Sequence, residues 1–379
     1  MVHGPPPIDE ARLLATFLTL VRIDSPSGSE GACASWCAEA LAEAGCTITY
    51  DDSAAITGSD VGNLIATLPG SIDATLVLSA HLDCVDPGEG VEPVVDGGVV
   101  RSAGPTILGA DDKAGIAAAI ECVRVLAASG AARPTVKCVF TVQEEVGLRG
   151  AKALDPETVS GDVCLVLDAD GAPGGIVVAA PTHYTFAAEY VGVAAHAGVS
   201  PEKGLSAIAM AAAAISRLPI GRVDEVSTAN VGTVEGGTAT NVIAAKARVT
   251  GECRSIDRAR VETLRERIDA VLTRAASDHG GTVDVHWNLE YEGFSLADDA
   301  PVVTLVRSAC HDVGLEARTF VTGGGSDANV LAAAGVPTVA LSCGMEGVHG
   351  TDERIEVAAL EALARLCVAV AWRMGPAGG

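Results

Sequence analysis

FTVQEEVGLRG, residues 140–150, ends an apolar run on two adjacent glutamates. Like charges side by side repel, and a partly buried carboxylate without a partner is costly. Glu144 and Glu145 therefore either sit in a solvated turn or face something that needs carboxylates. The second answer makes the preceding residues a buried strand with a site at its carboxyl edge, where α/β sheets bind their ligands.

The flanking segments favour such a sheet. NLIATL (63–68), ATLVLSAHL (74–82), TVKCVFTV (135–142), DVCLVLDADG (162–171) and PTVALSC (337–343) are short runs with strand character. Between them lie helical patterns. Asp9 caps a helix running to about Arg22, Glu30–Ala44 ends at Gly45, and residues 111–129 (DDKAGIAAAIECVRVLAAS) form a long helix. Helices over Asp299–Val313 and Val357–Arg373 complete an α/β layer architecture, a mixed sheet flanked by helices. The middle of the chain has a different rhythm. Strand-like 182–198, helix 203–218 closed by Pro219, strand 241–255, charged helix 257–280 and strand 282–292 suggest a βαββαβ unit. The expected organisation is a larger domain over 1–181 and 295–379, with a smaller α+β, ferredoxin-like domain inserted at 182–294.

Composition narrows the function. A chain of 379 residues with 49% hydrophobic content is long enough for two packed domains. A net charge of -24 repels nucleic acid and anionic membranes, so neither is expected as a partner. The eleven cysteines include no CxxC pair and lie mostly in apolar segments, the pattern of buried thiols in a reducing compartment. MVHGPPPIDEAR lacks the basic-then-apolar pattern of a secretory signal, and the longest uncharged apolar run, Ala207–Ile215, falls far short of the ~20 residues needed to cross a bilayer. The expectation is a cytoplasmic protein.

Potential metal ligands recur at the strand ends. SAHLDCV places His81 and Asp83 two apart, on one face of a strand. A carboxylate there can fix the imidazole tautomer and leave the other nitrogen for a metal. Asp111 and Asp112 open a helix, Asp168 and Asp170 close a strand, and His349 stands in a Gly-rich loop. Each has an ordinary alternative: a structural His–Asp pair, a helix cap, an Asx turn, a loop histidine. A two-metal site explains all of them together. One metal takes His81 and Asp168, a second takes Glu145 and His349, and Asp111 bridges. Imidazole and carboxylate donors suit Zn2+, with Mn2+ or Co2+ also acceptable. On an extended backbone neighbouring side chains point apart, so Glu145 ligates while Glu144 serves as general base towards a water activated between the metals.

In this order, HLD (81–83), GADDKAG (109–115), EE (144–145), LDADG (167–171) and HG (349–350) resemble the di-zinc exopeptidase family that includes peptidase T, carboxypeptidase G, aminoacylase and succinyl-diaminopimelate desuccinylase. HGTDE and LDADG look most similar to the peptidase T branch. The resemblance covers nearly the whole chain. It implies a cis peptide after Asp111 and an inserted domain that is both lid and dimerisation surface. It also implies that His196 polarises the substrate carbonyl, in the partner's site, and that Asn241 and Arg254 bind the substrate's carboxylate or carbonyl. TGGGSDANVL (322–331) resembles the substrate-lining loop, with Gly324 among its N–H donors. It also nearly spells GxSxG, but Ala328 replaces the last glycine, which argues against a Ser326 nucleophile.

The implied activity is metal-dependent hydrolysis of amide bonds, foremost release of N-terminal residues from short peptides by a homodimer with two Zn2+ per subunit. An N-acyl-amino-acid amidohydrolase with the same chemistry is the alternative. The segment DCVDPGEGVEP looks trimmed relative to peptidase T, and no residue for a free α-amine can be named. A catalytically silent binding protein would lack part of this ligand set.

Overall fold

The computed structural model describes residues 4–375; the first three residues of MVHGPPPIDEAR and the last four of the chain lie outside them. The chain forms two compact units. The larger runs to Val178, returns for Leu296–Val321, and resumes at Ser326; the smaller comprises Ala179–Ser295 with the Thr322–Gly325 turn.

The larger unit is built on a mixed sheet in the order Thr47–Tyr50, Leu64–Leu68, Thr135–Thr141, Thr75–His81, Val163–Ala169, Thr338–Ser342, Gly175–Ala180. The four strands from Thr135–Thr141 to Thr338–Ser342 are mutually parallel. The outer pairings are antiparallel. Parallel strands covered on both faces read as continuous apolar runs rather than alternating ones. TLVLSAH and TVALS are buried along almost their whole length accordingly.

Helix Ala110–Ser129 supplies much of the cover and is itself buried on nearly every side. Its alanines and Gly115 allow that approach. A β-carbon on Gly115 would collide with the carbonyl oxygen of Leu167 and the carboxylate of Asp112. Helices Glu10–Leu20, Gly31–Glu43, Pro301–Asp312 and Val357–Met374 complete the shell around one core. A short sheet the sequence did not announce, Pro93–Asp96 with Val99–Ser102, Arg354–Glu356 and Met345–Glu346, lies within DCVDPGEGVEP and its sequel and the HGTDE loop region.

The smaller unit has its own core, including Phe186, Tyr190, Met210, Val249, Leu264 and Leu272. Its antiparallel sheet runs Gly221–Arg222, Ser227–Gly236, Lys246–Ser255, Thr182–Val191, Thr282–Tyr291. Helices Ala207–Ile215 and Arg258–Asp278 pack on it. Strands and helices alternate as βαββαβ, with the first and third long strands side by side at the centre. Two expectations shift. The strand expected from Asn241 begins at Lys246, and Asn241 lies in the turn before it. The strand-like run from Thr182 stops at Val191, so His196 sits in irregular backbone, joined to Val242 by an isolated bridge.

Candidate functional site

The parallel strands deliver their polar residues to one edge. His81 ends its strand and aligns with Thr141 of the neighbouring one, three residues before Glu144. Asp168 is the penultimate residue of the next strand, and the loop beyond Ser342 leads to His349. Asp111 opens the long helix in non-helical backbone, and the Asp111–Asp112 peptide is cis.

The donors converge. His81 Nε2 lies 3.1 Å from Asp111 Oδ1 and 3.8 Å from Asp168 Oδ1. The other Asp111 oxygen is 3.3 Å from His349 Nε2, which is 3.1 Å from Glu145 Oε2. Asp111 thus stands between a His81–Asp168 group and a Glu145–His349 group. Asp112 also approaches His81 and Asp168, but its oxygens accept the N–H groups of His81 (3.3 Å) and Gly115 (3.1 Å). Asp112 holds backbone, whereas both oxygens of Asp111 face imidazoles.

The glutamate pair departs from the extended geometry expected of it. The strand ends at Thr141, Gln143 takes φ 52°, and Gly147 and Leu148 donate back to the Glu144 carbonyl. A turn, not strand alternation, separates the two side chains. Backbone anchoring makes it possible. Asp83 Oδ1 accepts Glu144 N–H (3.0 Å), and Oδ2 accepts Glu145 N–H (3.2 Å) and the Ser27 hydroxyl (2.6 Å). Glu30, fully buried, accepts Gln143 N–H (3.0 Å). The Asp83 carboxylate consequently serves the backbone more than the imidazole. His81 Nδ1 is 2.9 Å from the Asp83 carbonyl oxygen and 3.5 Å from its carboxylate.

Electrostatics describe a site short of positive charge. Burial, reinforced by Asp327, Glu145 and Asp111 and only partly offset by His81, raises the proton affinity of Glu144 well above the carboxylate range. Burial, Asp111 and Glu144 do the same for Asp168. His349 is pushed up to about 10 by Asp111 and Glu145. His81 is raised against its burial by Asp111 and Asp83. Glu145 Oε1 is buried with no hydrogen-bond partner among the described residues. Buried carboxylates in this density call for cations, and an orphaned oxygen on the carboxylate that meets His349 fits a metal. His349 is half exposed, so the site opens on that side.

The remaining expected residues belong to the smaller unit. His196 is exposed, and its Nδ1 accepts Gly198 N–H (3.2 Å), which leaves the proton on Nε2. Arg254 donates to Glu252 Oε2 from Nε (3.2 Å) and from the adjoining terminal nitrogen (2.8 Å), and its other nitrogen donates to the Tyr291 hydroxyl (3.2 Å). Gly324 N–H is donated to Thr322 Oγ1 (3.1 Å), so it is not the free donor expected of that loop. Asn241 is exposed.

Around this edge of the sheet, sequence reasoning passed over three buried carboxylates. Glu30 is one. Asp327 accepts the Thr141 hydroxyl (2.5 Å) and keeps one oxygen without a partner among the described residues. Glu353 accepts three backbone N–H groups. The only sequence signal for Glu353 was its place in HGTDE.

Fold and donor set together define a metal-dependent α/β hydrolase. Residues 77–373 match the peptidase family M20/M25/M40, and the chain belongs to that family. Over 364 residues it is 42% identical to the uncharacterized protein YqjE of Bacillus subtilis, covering 96% of this chain and 98% of that one. Among solved structures, aminopeptidase PepT from Bacillus cereus is 42% identical with a TM-score of 0.90, covering 96% of this chain and 98% of that one. A tripeptidase from Staphylococcus aureus is 38% identical with a TM-score of 0.92 at the same coverage. No helix among the described residues is long and apolar enough to cross a membrane.

Proposed function

We propose that this chain is a two-metal aminopeptidase that releases the N-terminal residue of short peptides, tripeptides foremost. One observation carries the metal chemistry: Asp111 turns one oxygen to His81 and the other to His349. Likeness across nearly the full length to an aminopeptidase and a tripeptidase supports the substrate class.

His81 and Asp168 would hold one ion, Glu145 and His349 the other, with Asp111 shared. Two divalent ions, Zn2+ by donor type, would supply Lewis acidity that acidifies water and polarises the scissile carbonyl. Glu144 takes the attacking water's proton and hands it to the leaving amine. Its burial among carboxylates suits a group that must hold a proton and then release it. Asp83 keeps Glu144 and Glu145 in register through their backbone. His196, with its proton on exposed Nε2, donates to the scissile carbonyl from the partner subunit. Arg254 and Asn241 bind the substrate's carboxylate end.

The smaller unit acts in this reading as lid and dimerisation surface. Strand Ser227–Gly236 supports the second role: among the described residues only Thr228 and Ala229 are paired on its outer side, by Gly221–Arg222. An open strand edge is a template for pairing with another chain. Val234 beyond it is 60% exposed and Ile208 47%. Eleven free, buried thiols support a reducing, cytoplasmic setting.

The test is metal content and substrate choice. Protein purified without chelator is expected to hold about two equivalents per chain, falling sharply in Asp111→Ala. It should turn over tripeptides in preference to N-acetyl amino acids. Turnover of acyl amino acids alone would overturn the aminopeptidase reading, and a metal-free native protein would overturn the site.

A further inference from the structure

Glu353 is a buried carboxylate to which the reaction gives no task. It follows His349 by four residues, in a loop closed by Gly350 N–H to the Gly347 carbonyl and Glu353 N–H to the Gly350 carbonyl, both 3.0 Å. Its side chain turns inward and is 1% exposed. Oε2 accepts the N–H groups of Leu108 (2.7 Å) and Gly109 (2.6 Å), and Oε1 accepts that of Asp111 (3.0 Å). Those three residues precede and include the bridging aspartate. Gly109, at φ 73°, turns that backbone so that its N–H groups converge on one carboxylate.

A buried charge satisfied only by backbone donors is a costly way to fill space, and an apolar side chain would fill it better. What only a carboxylate offers is two acceptor oxygens at fixed spacing. Glutamine would set an amide NH2 against backbone N–H groups on one side, and aspartate is one methylene too short to reach from the loop. Glu353 therefore ties the segment presenting Asp111 to the loop presenting His349, whose side chains meet at 3.3 Å. We propose that Glu353 is the positioning residue that sets the separation of Asp111 and His349, and through it the affinity of the metal position formed by Glu145, Asp111 and His349. The inference rests on the two-metal reading above.

Glu353→Gln and Glu353→Asp, made in the full chain, test it. Zn2+ affinity is measured for each equivalent by competition with a chelator, and the Co2+-substituted protein is followed by its visible spectrum. His349 stands half exposed on its loop while Asp111 is held by the buried helix, so losing the tie displaces His349. The first equivalent should keep its affinity within about threefold, while the second weakens roughly 10–100-fold, the range for lost support behind a ligand. On a tripeptide, kcat should fall at limiting metal with KM little changed, and excess metal should restore most of it. A general structural role would weaken both equivalents together, and kcat would not return with metal. Two equivalents bound with native affinity by a folded Glu353→Gln protein would refute the proposal and leave the two-metal reading intact. A native protein that binds no metal would refute both.

If the variants do not fold, amide exchange on the native chain decides. The amides of Leu108, Gly109 and Asp111 should open together with the 347–353 loop. Independent opening would show that no such tie exists.

Discussion

The carboxylate of Asp83 accepts from Ser27, Glu144 and Glu145 at once, and that explains how two adjacent glutamates can be aimed at different tasks. Anchoring the backbone fixes both side chains without using either. Glu144→Gln keeps shape and size but cannot take a proton. We expect it to retain two metals and lose about 10²–10⁴-fold in kcat, the usual share of general-base catalysis; metal loss with kcat preserved would exchange the roles of Glu144 and Glu145. The Glu252 carboxylate makes the fold sensitive to acid. Glu252 is held down to about 2 from an ordinary 4.5 by His183, whose Nε2 is 2.7 Å away, and then by Arg254, against its burial. Because the folded value lies below the unfolded one, this stabilisation is complete above about 4.5 and is lost as pH falls towards 2. Melting curves of Glu252→Gln and the native protein should differ at pH 5–7 and converge between those limits; a gap unchanged at pH 2 would mean Glu252 is not the group. The ligand candidates were legible in the sequence because each lies inside a short motif at a strand end, at a helix start or in the turn or loop that follows a strand. Glu30, Asp327 and Glu353 were not. Their partners lie far off in the chain, as Gln143 does from Glu30 and Asp111 from Glu353, and no local spacing encodes that.

Elements were legible where burial repeats a pattern and illegible where it does not. The four parallel strands read as apolar runs because helices cover both their faces. Strand Ser227–Gly236 escaped notice: its sequence, STANVGTVEG, is mostly exposed and carries two glycines. The Pro93–Asp96 and Val99–Ser102 hairpin escaped for the same reason, with Gly97 and Gly98 forming its turn. Helix Ala110–Ser129 shows what a glycine does when it is placed for approach rather than for a turn. Gly115 brings the helix against Leu167 at the end of the strand that carries Asp168, and Asp112 Oδ1 accepts its N–H. Gly115→Ala would raise helix propensity, worth about 1 kcal/mol in an exposed helix. Here the methyl has no room, and overpacking typically costs about 1–3 kcal/mol. We expect a net loss of stability in denaturant titration and a weaker His81–Asp168 metal position, since the helix and Asp168 must part. A stabilised Gly115→Ala protein would show that the contact yields freely.

Two units with separate cores carry different parts of the proposed chemistry: the proposed ligands and Glu144 lie in the larger unit, His196 and Arg254 in the smaller. This division makes the proposed dimer testable by its logic rather than by its size. If His196 acts in the partner's site, a Glu144→Gln chain and a His196→Ala chain each form impaired homodimers, but a mixed dimer contains one complete site. That site has Glu144 from the His196→Ala chain and His196 from the Glu144→Gln chain; the other site lacks both. Random reassortment makes half the dimers mixed, each with one of its two sites intact, so equal mixing should restore about a quarter of native activity. If His196 acts within its own chain, every site in the mixture lacks one group and nothing is restored. An acidic substitution at Val234, on the open strand edge, supplies the control. It should shift the protein towards monomer in sedimentation and abolish the recovery on mixing. Native-level activity in a proven monomer carrying the Val234 substitution, with Glu144 and His196 both intact, would mean that His196 reaches its substrate without a partner and that the edge serves some other contact.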